Sequence, residues 1–160
     1  MSKQIRYFSI PFVLLVALDQ AIKYAMIYVA QPQSLHDFVM ITDNPVISIA
    51  LVFNTGVAFS FLTWLGEWLK YMQVGFIAII IGILFIQKHL FKDHYIAFSF
   101  MFAGGASNVL DRFLHGGVVD YIYWHYKFEF PIFNFADIII NCGVALFILQ
   151  TLFLNKKKKI

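Results

Sequence analysis

The sequence has few charged residues and a single cysteine, and each shortage excludes some classes of protein. Only 13% of its 160 residues are charged, against about 25% in soluble globular domains. Hydrophobic residues make up 61% of the chain and the mean hydropathy is +0.75, which indicates lipid as the solvent. The one cysteine, Cys142, lies in an apolar run, which excludes a disulfide framework and a cysteine-based metal site. At this length we expect one domain, 1–160.

The net charge of +3 does not indicate a nucleic-acid partner, because four of the twelve basic residues form the tail Lys156 to Lys159. A basic cluster beside an apolar segment is typical of a membrane-orientation signal. The first apolar run has a basic start like that of a signal peptide, but it continues past Asp19 to Val29 without a small-residue cleavage site. We therefore predict a retained helix.

Four apolar segments approach the roughly 20 residues that a membrane-spanning helix needs. Basic residues collect at the N terminus, between the second and third segments, and at the C terminus, which predicts that both termini are cytoplasmic. The predicted helices lie near 8–29, 69–86, 95–113 and 137–154. The connections near 30–68 and 114–136 are then predicted to face the outside.

The outer connections have strand and interface patterns. Residues 38–53 approach strand alternation, with Asp43-Asn44-Pro45 as a turn. The fold class predicted is an all-α membrane protein with four transmembrane helices, a small extracytoplasmic β element and a surface-lying aromatic segment. The aromatic residues typical of a membrane interface are Trp64, Trp68 and Tyr71, and then Tyr121, Tyr123, Trp124 and Tyr126.

Polar residues at membrane depth are few, and under this topology they cluster toward the outer face. Each charge there costs at least about 2.5–3.5 kcal/mol on insertion scales, so the cluster needs an explanation. Within or at the ends of predicted spans are Asp19, Asn108, Asp111, Arg112 and Asp137, while Asn54 and Asp120 belong to the outer connections.

Some of these residues have a structural interpretation. Asp19 and Lys23 have the i,i+4 spacing of a helical ion pair, and Asp111 is the expected partner of Arg112. The glycines in Gly104-Gly105 favour close helix packing.

Two further acids allow both a structural and a catalytic interpretation. Asn134 is an expected N-cap, with Asp137 in the first turn of its helix. Asp120 has an apolar setting that disfavours its ionised form. Two neighbouring carboxyls tend to share a proton, which suits general acid and base chemistry. Asp120 and Asp137 would meet if their connection folds back on the membrane surface, and Asp111 remains a rival partner.

Other chemistries have weaker support in the sequence. The five histidines are scattered without His-Glu-x-x-His spacing, no serine has a suitable base, and no Gly-x-Gly-Asp tetrapeptide occurs. A small transporter or binding subunit is the main alternative. It would place polar residues through the whole bilayer, whereas here they crowd one end.

Five motifs resemble, in order, those of the lipoprotein signal peptidase (signal peptidase II) family. They extend from the first predicted helix into the fourth, which covers nearly the whole chain. The motifs are Asp19-Gln20-x-x-Lys23, Asn54-x-Gly56-x-Ala58-Phe59, Asn108-x-x-Asp111-Arg112, Val118-Val119-Asp120-Tyr121-Ile122 and Phe133-Asn134-x-Ala136-Asp137.

The resemblance implies a monomeric, metal-independent aspartic endopeptidase of the bacterial inner membrane, with no cofactor. It would contact membrane phospholipid and cleave lipid-modified prolipoprotein signal peptides just before the lipidated cysteine, on the periplasmic side. The family fold has four transmembrane helices and a β-cradle. The implied catalytic pair is Asp120 and Asp137. The residues implied to bind substrate are Asn54, Asn108, Arg112 and Asn134, and those implied to be structural are Asp19, Lys23 and Asp111.

Two positions depart from the family pattern. Ser107 stands where a glycine commonly precedes the motif asparagine, and Tyr121 replaces a usual phenylalanine. Neither departure removes an implied catalytic residue.

Overall fold

The computed structural model describes residues 2–56 and 63–157, so Ala58 and Phe59 of the second motif lie outside the described residues. The described residues form four long helices and three strands. In order they are α1 (Ser2–Ala30), β1 (Val39–Thr42), β2 (Ile47–Asn54), a short 3-10 turn (Thr63–Leu65), α2 (Trp68–Ile86), α3 (Lys88–His115), β3 (Val118–Trp124) and α4 (Phe135–Lys157).

Three helices in the described part of the chain are long and apolar enough to cross a membrane: Lys3–Ala30, Trp68–Ile86 and Phe135–Leu154. The fourth predicted segment, 95–113, lies inside α3. That helix is less apolar overall, because it has charged residues in its first turns and near its end. These are Lys88, Lys92, Asp93, Asp111 and Arg112.

Helix α3 lies at the centre of the helical bundle, in contact with α1, α2 and α4. Leu84 of α2 packs there against Phe98 and Phe102 of α3. Nearer the C-terminal end of α3, Gly104 lies against α4 so closely that an added Cβ would be 2.4 Å from the Ala136 carbonyl oxygen. The predicted close packing at this glycine is confirmed. An added Cβ at Gly105 would make only an ordinary contact, 3.7 Å from Ile77 Cδ1.

The first turns of α3 are separated from the rest by a kink at His94, whose backbone leaves the helical region (φ −131°, ψ 20°). The buried imidazole lies 4.5 Å from the Phe147 ring, measured between centroids, and its Nδ1 is 3.0 Å from Gln150 Oε1. The kink divides α3 into a short first part and a longer second part. The second part contains the predicted segment 95–113.

The strands form one antiparallel sheet in the order β1-β2-β3. The predicted turn joins β1 to β2, where Ser48 Oγ accepts a hydrogen bond of 3.0 Å from the Asn44 amide. The predicted β element is therefore confirmed, although it is larger than the sequence indicated.

The third strand was not predicted, because its aromatic residues were assigned to a surface-lying segment. Tyr121 is only 5% exposed, so its assignment to an interfacial belt was wrong. After β3 the chain folds back, and Phe133 exchanges backbone hydrogen bonds of 2.8 and 3.1 Å with Ile122. This return brings the start of α4 beside β3, as a meeting of Asp120 and Asp137 requires.

Candidate active site

The predicted polar residues converge where the sheet meets the ends of α3 and α4. Helix α3 ends at Gly116, whose left-handed backbone (φ +79°) turns the chain into β3. In the sheet, Asn54 at the end of β2 pairs with Val118, and Val52 pairs with Asp120. The site is thus assembled from residues distant in sequence.

One group, which we call the ion cluster, consists of Asp19, Lys23 and Asp111. Lys23 Nζ lies 2.7 Å from a carboxylate oxygen of each aspartate, and all three side chains are at most 1% exposed. The predicted i,i+4 pair is confirmed. Charge-assisted contacts of this kind offset the large desolvation penalty of three buried ions.

The expected pairing of Asp111 with Arg112 was wrong, because the side chain of Asp111 points at α1. It accepts hydrogen bonds from Gln20 Nε2 (2.7 Å) and the Val119 amide (3.1 Å), in addition to Lys23. The i,i+1 neighbours on a helix face in different directions, which explains the result.

The second group, which we call the cavity pair, consists of Asp120 and Asp137. Both line a cavity of about 410 Å³, together with Asn54, Asn108 and Arg112. The ion cluster does not line this cavity. Three of the residues implied to bind substrate therefore lie at the same cavity as the implied catalytic pair.

Asp120 is 2% exposed, and among the described residues the donors to its carboxyl are two side-chain amides. Asn54 Nδ2 donates to one oxygen at 3.0 Å and Asn134 Nδ2 to the other at 2.7 Å. Burial, followed by the negative charge of Asp137, raises the pKa of Asp120 to about 7, and these two hydrogen bonds oppose the shift. Asp120 is therefore protonated in a large fraction of molecules near neutral pH.

Asp137 is fixed by the capping of α4. Its Oδ2 accepts from the Asn134 amide at 3.1 Å, and Asn134 Oδ1 accepts from the Asp137 amide at 2.9 Å. These reciprocal bonds form a capping box and confirm Asn134 as the N-cap. The other carboxylate oxygen accepts from Asn108 Nδ2 at 2.9 Å.

Asn134 and Asn108 join the two groups. Beyond its contact with Asp120, Asn134 Nδ2 lies 3.1 Å from Asn108 Oδ1, and that same oxygen accepts from Lys23 Nζ at 2.8 Å. The Asn108 amide thus has its oxygen toward the ion cluster and its nitrogen toward Asp137. Because both ends of the amide have hydrogen-bond partners, its orientation is determined by several contacts.

Arg112 is 6% exposed and lines the cavity. Its Nη2 donates to the Gly56 carbonyl oxygen and its Nη1 to the Asn108 carbonyl oxygen, whereas its buried Nε has no hydrogen-bond partner among the described residues. Because its acceptors are uncharged backbone oxygens, the guanidinium keeps its positive charge at the cavity that Asp120 and Asp137 also line. In residues 2–56 and 63–157 there is no group of three or more His, Cys, Asp or Glu side chains that could hold a metal.

Four polar residues lie at the site although the sequence analysis did not assign them to it. Gln20 and Ser107 belong to the shell of the ion cluster, and Ser107 Oγ donates to Asp19 at 2.6 Å while accepting from Gln20 at 2.8 Å. Gln73 and Asn141 also line the cavity. For Gln20, Gln73 and Asn141 the available signal was an amide side chain in a mainly apolar helix, where burial of a polar group in the membrane is costly.

The two departures from the family pattern each make a hydrogen bond. The Ser107 hydroxyl takes part in the ion cluster as described, and the Tyr121 hydroxyl accepts from the Phe135 amide at 3.2 Å. Phe135 is the first residue of α4, so Tyr121 satisfies one of the unpaired amides at that helix end.

Comparison with known proteins identifies the family of this chain. The family described as Signal peptidase (SPase) II matches residues 11–153. The lipoprotein signal peptidase of Helicobacter pylori (strain Shi470) is 47% identical over 156 residues, covering 98% of this chain and 93% of that protein. That of Wolinella succinogenes is 48% identical over 145 residues, covering 91% and 92%.

A solved structure, described as a bacterial membrane enzyme determined in meso at 2.3 Å resolution, is similar with a TM-score of 0.72 and 29% identity, covering 99% of this chain and 92% of the other. A second bacterial membrane enzyme, at 1.9 Å, has a TM-score of 0.62 and 29% identity, covering 95% and 94%. With matches across nearly its whole length in both sequence and fold, this chain belongs to the signal peptidase II family.

Proposed function

We propose that this protein is an aspartic endopeptidase that removes signal peptides from diacylglyceryl-modified prolipoproteins, with Asp120 and Asp137 as its catalytic pair. The observation that carries the proposal is the contrast among the site aspartates. Asp120 and Asp137 line the cavity, and their hydrogen-bond donors in the described part of the chain are neutral, whereas Asp19 and Asp111 contact a lysine. The relatives from Helicobacter pylori and Wolinella succinogenes carry the name lipoprotein signal peptidase, which gives the substrate class.

The chemistry follows from one proton shared between two carboxyls. In the proposed mechanism the ionised carboxylate removes a proton from a water molecule, which attacks the scissile carbonyl. The protonated carboxyl stabilises the tetrahedral intermediate and then transfers its proton to the leaving amine. The raised pKa of Asp120 supports its role as the protonated partner at the start of the cycle. No metal ion or cofactor takes part in these steps.

The polar residues around the pair are proposed to bind the substrate backbone. Asn54, Asn108 and Asn134 hold the two carboxyls in place through their side-chain amides. Arg112 lines the cavity and its buried Nε has no partner within residues 2–56 and 63–157, so a substrate carbonyl oxygen would be a suitable acceptor for it. Donors placed around the scissile carbonyl would also stabilise the negative charge that develops there.

The proposed membrane arrangement has α3 as a fourth spanning helix and both termini in the cytoplasm. Its contacts with all three apolar helices support this placement. The sheet and the cavity pair then lie at the outer edge of the bacterial inner membrane. Trp64 and Trp68, which are 78% and 72% exposed, would lie among phospholipid headgroups. The chain 1–160 would form one domain and act as a monomer.

Cleavage would then occur just before the lipidated cysteine. The diacylglyceryl group would remain in the outer leaflet, which holds the following residues at the level of the cavity pair. The signal peptide would extend from this point into the bilayer. Only one bond of the precursor is therefore expected to reach the two carboxyls.

The proposal is tested with Asp120→Asn and Asp137→Asn variants purified in detergent and assayed on a lipidated precursor. Removing either acid–base group is expected to lower kcat/KM by roughly a hundredfold to ten-thousandfold. Asp43→Asn, in the exposed β1–β2 turn, is the matched control and should retain full activity. Asp111→Asn should retain more activity per folded molecule than either catalytic variant. Wild-type activity in Asp120→Asn or Asp137→Asn would refute the assignment.

A further inference from the structure

Helix α2 contains one polar residue that its membrane setting does not explain. From Met72 to Ile86 the helix has no amide or charged side chain except Gln73. An amide group in a spanning helix is unfavourable unless it finds a hydrogen-bond partner in the protein or in a polar cavity. The position of Gln73 therefore needs a reason.

Gln73 faces the protein rather than the lipid. It shares a helix face with Ile77 and Ile80, which pack against the buried core, and it is itself half-buried. Its side chain lines the same cavity as Asp120 and Asp137. Gln73 Oε1 is buried, yet among the described residues it has no hydrogen-bond partner. A buried acceptor left without a donor is costly, which points to a donor supplied by a ligand.

A second amide lines the cavity on α4. Asn141 lies one turn beyond Asp137, about 6 Å farther along the helix, and its Nδ2 donates to the Asp137 carbonyl oxygen at 2.9 Å. Ile138 and Ile140 form the apolar wall on either side of it. The cavity thus has an acidic end at the cavity pair and a mainly apolar part with two carboxamides, on α2 and α4.

The proposed substrate has groups that match this part of the cavity. A signal peptide that enters from the bilayer must lose its helical hydrogen bonds near the scissile bond before the carbonyl can reach the acids. Hydrocarbon offers no partners for the amides so released. A buried acceptor on a side chain that lines the cavity, without a partner among the described residues, would satisfy one of them.

We propose that Gln73 is a substrate-positioning residue whose Oε1 accepts a backbone N–H from the extended residues on the signal-peptide side of the scissile bond. Asn141, on α4, provides the second carboxamide contact for the same stretch. The inference rests on the proposed function, since it takes the direction of the substrate from it. An extended chain rises about 3.3 Å per residue, so a distance of one helical turn from the acids corresponds to about two residues before the cleaved bond.

Replacing Gln73 by methionine separates this role from a structural one. Gln73→Met keeps the side-chain length and removes the unpaired acceptor, so the thermal unfolding midpoint in detergent should be unchanged or higher. The loss of one substrate hydrogen bond should lower kcat/KM by roughly three- to tenfold, mainly through KM. Thr151→Val, another polar-to-apolar change in a membrane-facing helix, is the control and should leave kcat/KM unchanged.

Substrates with single backbone esters identify the hydrogen bond itself. Each amide in the four residues before the scissile bond is replaced in turn by an ester, which removes its N–H. With wild-type protein, one ester should lower kcat/KM by three- to tenfold, and with Gln73→Met the same ester should have no further effect. Equal ester effects in both proteins, or wild-type kcat/KM in Gln73→Met, would overturn the inference while leaving the catalytic pair intact. No cleavage of the lipidated precursor by the wild-type protein would overturn both.

Discussion

The ion cluster and the cavity pair lie on either side of Asn108 and are built from the same residue type, yet their surroundings differ. In the ion cluster, Asp19 and Asp111 share one lysine and are closed off from the cavity. In the cavity pair, Asp120 and Asp137 line the cavity, and their direct partners are amides. The first two aspartates are thus bound by a buried cation, whereas the second two have neutral donors and lie at a cavity.

This difference indicates a division of tasks within one polar network. The ion cluster joins α1 to α3, and it also contacts the Asn108 amide that donates to Asp137. Its cation therefore stabilises the helix packing and the position of a donor to the cavity pair at the same time. The cavity pair, by contrast, retains access to a reactant. The predictions that follow test whether stability and activity separate along this division.

The largest effect is expected for Lys23→Met, which leaves two buried carboxylates without their cation. Breaking a buried ion pair by removing one partner destabilises by about 3–5 kcal/mol. Lys70→Met is the matched control, because its ion-pair partner Glu67 is 73% exposed and the pair should contribute only about 0–1 kcal/mol. Thermal unfolding in detergent measures both. A Lys23→Met protein with wild-type stability and no activity would place the ion cluster in the catalytic machinery. It would contradict the division of tasks between the two groups.

A smaller effect is expected for Gly104→Ala, which acts on the cavity pair but not on the ion cluster. The new methyl group would meet the Ala136 carbonyl oxygen, one residue before Asp137, so α3 and α4 must separate. Overpacking of this kind costs about 1–3 kcal/mol, and the Asn108–Asp137 contact should weaken with it. The expected result is lower kcat together with a lower unfolding midpoint.

Gly105→Ala provides the control for that substitution, since its added methyl group would make only an ordinary contact with Ile77. It should keep wild-type kcat and midpoint. Equal losses in the two variants would mean that helix propensity or insertion, rather than the α3–α4 distance, limits activity.

Local spacing was enough to predict part of this molecule. The helices, the β1–β2 turn, the Asp19–Lys23 pair and the Asn134 cap depend on residues within a few positions of one another. Such contacts follow directly from helix and turn geometry.

The remaining contacts join segments that are far apart in the sequence, so the spacing of residues does not predict them. The pairing of Asp111 with Lys23 spans 88 positions, from 23 to 111, and nothing near either residue specifies it. Strand β3 was missed because its aromatic residues fit an interfacial segment equally well. The choice of Asp120 over Asp111 as partner of Asp137 came from the family resemblance, and its catalytic role stays a prediction.

A third substitution, Asn54→Ala, addresses the proton of the cavity pair. The Asn54 amide donates to Asp120, and a donor to a carboxylate favours the ionised form, so its removal should raise the pKa of Asp120 above about 7. In the proposed mechanism activity falls when both carboxyls are ionised. The alkaline limb of the kcat/KM–pH profile should therefore move to higher pH, by roughly 0.5 to 1 pH unit.

The matched variant for that profile is Thr42→Ala, which also removes a side-chain partner from β2 but lies away from the cavity. Its alkaline limb should coincide with the wild-type one. If the limb of Asn54→Ala moved to lower pH, the group that titrates would not be a carboxyl stabilised by this amide, and Asp120 would lose its role as the protonated partner.

The smallest effect is expected for Tyr121→Phe, which restores the residue common in the family. The substitution removes the hydroxyl that accepts the Phe135 amide and leaves one N–H at the start of α4 without that partner. The cost should be about 1 kcal/mol or less, because the capping box of Asn134 and Asp137 remains. Activity should stay within twofold of wild type, since Tyr121 is not among the residues that line the cavity. A loss of activity well beyond the loss of stability would show that the α4 terminus, and with it Asp137, depends on this hydroxyl.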